Sequence, residues 1–209
     1  GPWKSLAFLE RLPSVAWLEE DSEFEPLPVV LPAPLDTDPT RLTGYETGHK
    51  IIRTEALHTL GFTGHTQILG FSDTGLDIGV NDDTLHGDFV GRIHTAYTYE
   101  GGNWSDPWGH GTHIAGSLMG NGHLSDGIFR SSAYDARLVV QSLMSEGRFR
   151  VPVNIGEALL KPAYDDGVRI HSNSWGSKLN WATYPPYCRS VDEFVWNHPD
   201  MLVLFPSGN

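Results

Sequence analysis

TQILGFSDTGLD, residues 66–77, sets the reading of this 209-residue chain. Ile68, Leu69 and Phe71 form a short apolar run that ends on Asp73 and breaks at Gly75. A run of this length bounded by turn residues reads as a buried strand. In open α/β sheets, ligands collect at the carboxyl ends of such strands. Asp73 is therefore either a site carboxylate or a turn residue that caps the next segment.

Working outward, strand and helix patterns alternate. HKIIRTEALHTLG (49–61) reads as a short helix closed by Gly61. GTHIAGSLMGN (111–121) reads as a helix with Ile114 and Leu118 four apart, and ARLVVQSL (136–143) as a strand. NIGEALLKPAYDDG (154–167) is a helix with Asn154 and Glu157 in capping-box spacing, which Pro162 should disturb by removing a donor. VRIHSNSWG (168–176) is a strand, and SVDEFVWNH (190–198) is a helix with Ser190 and Glu193 repeating the capping spacing. MLVLFPSGN (201–209) is a final strand. Such alternation needs crossover connections, so the expected fold class is α/β: a parallel sheet with helices on both faces.

The first residues read differently. SLAFLERL (5–12) is a candidate helix broken by Pro13, and VAWLEED (15–21) a candidate edge strand. Five prolines, at 26, 28, 32, 34 and 39, then exclude regular structure. We divide the chain into a tail (1–30), a proline-rich linker (31–44) and a main domain (45–209). The net charge of −12 argues against a nucleic-acid partner, which would need basic patches. The single cysteine, Cys188, cannot close a disulfide within these residues. No stretch reads as a signal peptide or a membrane span.

His110 lies in WGHGTHIAGSLMGN (108–121), bracketed by Gly109 and Gly111 at the start of a helical pattern. Glycines admit close backbone approach. A histidine there, facing a strand-end carboxylate, suits a base and its orienting partner. Asp73, His110 and His113 also read as possible metal ligands, but no HExxH spacing is present. His113 reads as a structural residue donating a hydrogen bond inside the core.

DTGLD, HGTHIAG, NSWG and SGN, in that order, resemble the subtilisin-like serine proteases. ARLVVQSL, RIHSNSWGS and SVDEFVW resemble their larger, oxidatively stable alkaline branch. The similarity covers about residues 45–209, the N-terminal portion of such a catalytic domain, ending before its nucleophile helix. The resemblance implies that Asp73 is the triad carboxylate, His110 the general base and Asn209 the oxyanion donor. It makes Ser174, Trp175 and Gly176 the edge that pairs with an extended polypeptide substrate; Trp175 also reads as a core aromatic.

The family's nucleophile lies in a GTSMA-type block after the asparagine, and nothing here matches it. Phe205, Pro206 and Ser207 replace the family's usual small residues. The expectation is a serine endopeptidase whose nucleophile lies outside these residues, so that they are inert alone and need a C-terminal remainder, in cis or as a second chain. Without later strands to cover the sheet, the lone chain would tend to associate. The alternative is a non-catalytic peptide-binding or regulatory module.

LPSVAWLEED (12–21) resembles the closing strand of the family's inhibitory propeptide, which places the junction between Leu31 and Tyr45. By the same resemblance, secretion is expected. No cofactor is required for the chemistry. Structural calcium is possible at DIGVNDD (77–83) or DPTRLTG (38–44), each of which also reads as a solvated turn.

Overall fold

The computed structural model describes residues 23–27, 48–177 and 183–208. Five strands form one parallel sheet in the order β3-β4-β2-β7-β9: β2 (Ile68–Asp73), β3 (Ile93–Thr98), β4 (Arg137–Ser142), β7 (Ile170–Asn173) and β9 (Leu202–Leu204). β2 is central, in register with β4 from Ile68↔Arg137 to Asp73↔Ser142. Asp73 thus lies at the carboxyl end of an inner strand, as the apolar run predicts. β3 is absent from the sequence reading, because IHTAYT has neither an apolar run nor a strict apolar/polar alternation.

Two apolar clusters form the core. Leu69, Phe71, Leu138 and Val140 pack with Ala115 and Met119 of α2 (His110–Met119). Val139 joins Ile155, Leu160, Ala163 and Phe194 in the second cluster. Alternation along β4 sends successive side chains to opposite faces, so both faces of the strand are buried.

Fully buried His171 joins β7 to β4 through Gln141 Oε1 at 2.8 Å, and Gln141 Nε2 donates to the Leu159 carbonyl at 2.8 Å. A Cβ on Gly70 would lie 2.7 Å from the His171 ring and 2.9 Å from Val168, so β2 carries no side chain at that point.

The helices refine the expected boundaries. α1 covers only Glu55–Thr59, preceded by turns and closed near Gly61. The disturbance expected at Pro162 takes the form of a π-helical turn, Gly156–Leu160, which leads into α3 (Lys161–Asp165). Asn154 Oδ1 accepts from the Glu157 amide at 3.2 Å, one half of the predicted capping box.

α4 (Pro186–Asn197) begins four residues before Ser190, with a proline in its first turn. Ser190 is therefore not its cap. Its hydroxyl instead accepts from the Gly156 amide and donates to Asn154 Oδ1, both at 2.8 Å, tying α4 to the π turn. Two further short strands, β5 (Met144–Ser145) and β6 (Arg148–Phe149), form a hairpin.

Phe24–Pro26 forms β1, which pairs antiparallel with β8 (Trp175–Ser177). The candidate helix at 5–12, the candidate strand at 15–21 and the linker 31–44 lie outside the described residues. No helix among the described residues is long and apolar enough to cross a membrane.

Candidate active site

Asp73 and His110 meet at the carboxyl end of the sheet. Asp73 is fully buried, and its Oδ1 lies 2.7 Å from His110 Nδ1. The same oxygen accepts from the Thr74 amide at 2.7 Å, while Oδ2 is buried with no partner among the described residues.

Helix α2 brings His110 close because residue 111 is glycine. A Cβ there would stand 2.2 Å from the Gly75 carbonyl oxygen. Gly109 precedes the helix with φ 76°, a left-handed conformation that glycine adopts without strain.

The other imidazole nitrogen is also engaged. His110 Nε2 lies 2.7 Å from the carbonyl oxygen of Leu27, the residue after β1. Both ring nitrogens thus face acceptors, an arrangement that only the doubly protonated imidazolium satisfies. Burial pulls the His110 pKa down, but the Asp73 hydrogen bond and charge, the Leu27 carbonyl and the charge of Asp106 outweigh it. The net direction is upward.

Leu27 arrives there by strand pairing. Phe24 opposes Ser177, Glu25 opposes Gly176 and Pro26 opposes Trp175. The Leu27 amide then donates to the Ser174 carbonyl at 3.1 Å. The predicted edge, Ser174, Trp175 and Gly176, thus lies against a segment of the same chain.

Phe24 packs edge-on against Trp175, with centroids 5.6 Å apart, and against Tyr187 at 4.7 Å. Trp175 is itself buried, and its indole N–H donates to Ser72 O at 3.0 Å. The ring of Trp175 is core, as one of its two readings expects, while its backbone pairs with β1. A mainly apolar cavity of about 460 Å³ adjoins this groove, bounded by Phe24, Leu27, Trp175, Tyr187 and Phe205 among others.

His113 is exposed on α2, which corrects the expectation of a core hydrogen bond: it faces away from the strand that receives His110. Asn209 lies outside the described residues. Phe205 stands edge-on to Trp175, with centroids 5.2 Å apart. Cys188 is exposed.

Among the described residues, no group of three or more His, Cys, Asp or Glu side chains is arranged to hold a metal. In the acid-rich turn, Asp77 Oδ2 accepts from His86 N at 2.7 Å and Asp82 Oδ1 accepts from Thr84 N at 2.8 Å. Residues 38–44 lie outside the described residues.

The subtilase family model matches residues 64–209, which include the Asp73 and His110 elements and the β8 edge. The chain belongs to the subtilase family. It is 31% identical over 170 residues to the serine protease/ABC transporter B family protein tagD of Dictyostelium discoideum, covering 70% of this chain and 9% of that protein. The related tagB is 32% identical over 161 residues, covering 70% and 8%. A subtilisin-like protease of Coccidioides posadasii is 41% identical over 78 residues, covering 37% and 17%. The chain therefore spans a small fraction of these relatives' length.

Two solved structures share the fold. Fervidolysin of Fervidobacterium pennivorans, a keratinolytic enzyme, aligns with TM-score 0.52 and 19% identity, covering 72% of this chain and 22% of that one. The CspB protease of Clostridium perfringens aligns with TM-score 0.53 and 17% identity, covering 75% and 39%.

Sequence reasoning missed two contributors to this subtilase site. Phe24–Leu27 falls in the tail set aside at 1–30, where no groove-binding residues were named, although Phe24 and Leu27 are the apolar residues that a groove accepts. Asp106 was also missed; its signal is the Asp-Pro turn four residues before His110.

Proposed function

We propose that these residues form the acid–base half of a serine endopeptidase that hydrolyses peptide bonds by acyl transfer. The observation that carries this reading is His110 held between the Asp73 carboxylate and a peptide carbonyl, 2.7 Å from each. In the open site, neutral His110 would take the proton of a serine hydroxyl at Nε2. Asp73 would keep Nδ1 protonated and stabilise the resulting imidazolium.

Asn209 would donate to the oxyanion. The nucleophile would come from outside these 209 residues, since none of their serines stands in a block of the family's type. Ser174, Trp175 and Gly176 would pair with an extended polypeptide as they pair with Phe24–Leu27.

The same pairing supports a role for residues 1–30 as an inhibitory tail. With its carbonyl on Nε2, Leu27 keeps the imidazole from accepting a proton while β1 fills the groove. This contact lies upstream of the 31–45 window expected for the junction, and the residue after Leu27 is Pro28.

A serine-reactive fluorophosphonate probe tests the proposal. The complete protein should be labelled, His110→Ala should lower the labelling rate by about 10²–10⁴-fold, and the 209-residue chain alone should not react. Labelling of the complete protein that is indifferent to His110→Ala would sink the enzyme reading. A second reading draws on β1 itself, a strand held in the groove without a nucleophile: a non-catalytic module that binds extended peptides. No labelling of the complete protein, with peptide binding retained, would select it.

A further inference from the structure

Asp106 makes more hydrogen bonds than any role in a surface turn requires. Its Oδ1 accepts from the Thr74 hydroxyl at 2.7 Å, the Gly109 amide at 2.9 Å and the Trp108 amide at 3.1 Å. Its Oδ2 accepts from the amide and the hydroxyl of Thr112, both at 2.7 Å. The Thr74 hydroxyl in turn accepts from the Gly111 amide at 2.8 Å. The residues flanking His110, from 108 to 112, are therefore tied to one carboxylate and one threonine.

The need for this arrangement is local. The first amides of a helix lack intrahelical acceptors and are usually met by an N-cap side chain. Residue 109 is glycine, which has no side chain to offer. An N-cap serine or aspartate would satisfy the amides, but its Cβ would carry a strain penalty at φ 76°. Asp106 supplies the missing acceptor from the preceding loop.

Asp106 reaches the other strand as well. Thr74 is the residue next to Asp73, and its amide donates to Asp73 Oδ1. One carboxylate thereby links the end of β2 to the first turn of α2, the two elements whose approach sets the Asp73–His110 distance.

We infer that Asp106 is a positioning residue for His110: it replaces the absent N-cap of α2 and holds the imidazole in register with Asp73. Its charge acts in the same direction. The groups facing His110 are Asp73 from β2, Asp106 from the preceding loop and the Leu27 carbonyl from β1; all three favour the imidazolium. The inference rests on His110 as the general base only for its consequence on rate.

The test uses the 209-residue chain. NMR follows the His110 ring carbon-bound proton through a pH titration, and the Nδ1 proton shared with Asp73 through its exchange with solvent. Asp106→Asn should lower the His110 pKa and raise the exchange rate of the Nδ1 proton severalfold, with Asp106→Glu restoring part of each. Thr112→Val keeps the charge and removes the hydroxyl that donates to Asp106 and accepts from the Asp77 amide, so it should speed Nδ1 exchange while leaving the pKa close to that of the parent.

An unaltered Nδ1 exchange rate in both Asp106→Asn and Thr112→Val overturns the inference. Should Asp106→Asn fail to fold, Thr112→Val alone decides by the same exchange rate. In the complete protein, Asp106→Asn should slow fluorophosphonate labelling roughly ten- to hundredfold, the scale of loss from a small misplacement. If the complete protein takes no label yet the NMR changes occur, the endopeptidase reading falls and the positioning role stands.

Discussion

At residue scale, two histidines show how the environment assigns a role. His110 and His171 are the same residue type, yet charged and carbonyl acceptors push the first up while burial alone pushes the second down to about 3. His171 is neutral in the fold, with Nε2 bonded to Gln141 and Nδ1 buried with no partner among the described residues. Its unfolded form binds a proton below pH about 6.5, the folded form only near about 3.

The sign follows: His171 costs the fold nothing above the unfolded pKa, and a penalty grows as pH falls through this window. Urea unfolding should show stability falling between neutral and mildly acidic pH. In His171→Asn this acid-induced fall should be smaller, even though that variant is weaker at neutral pH. An identical pH slope in the two proteins would refute the assignment. The sequence places His171 on a strand, but its neutrality is illegible there, because it depends on Val168, Gly70 and Gln141 closing around the ring.

At element scale, α2 packs closely against the loop that leaves β2. Gly111 lets the helix start where a Cβ would stand only 2.2 Å from the Gly75 carbonyl oxygen, closer than atoms can pack. Because the obstacle is backbone, relief requires moving the helix. Gly111→Ala should destabilise the domain by about 1–3 kcal/mol, the usual cost of overpacking, measured by thermal unfolding. It should also lengthen the Asp73–His110 contact, seen as loss of the shared Nδ1 proton signal. A variant as stable as the parent with that signal intact would show that the approach is not tight. This element was legible early: HGTH at a helix start and small residues behind it announce a close helix–strand packing. The identity of the cap was not, since Asp106 reaches it across the turn.

At the scale of the whole molecule, the N-terminal segment closes on a site built from residues 73 to 208. Phe24 lodges between Trp175 and Tyr187, and Leu27 reaches His110. Phe24→Ala removes the aromatic anchor and should free the groove. A labelled Phe-Glu-Pro-Leu peptide should then bind the variant saturably by fluorescence polarisation, while binding to the parent chain stays at least about tenfold weaker. Equal binding by both would show that β1 does not occupy the site in solution. At one end of the described sheet, β9 leaves Leu202 and Leu204 exposed at 53% and 44%.

The sequence by itself determined the parallel α/β class, the strand that ends in Asp73, the helix that begins at His110 and the family. Each is a local pattern: an apolar run, a 3.6-residue period, a glycine beside a functional residue. Tertiary structure alone decided which atoms meet. It seated Leu27 on the imidazole, turned His113 to solvent, gave Asp106 five donors and hid His171, because each of these depends on how the chain packs in three dimensions and not on a local residue pattern.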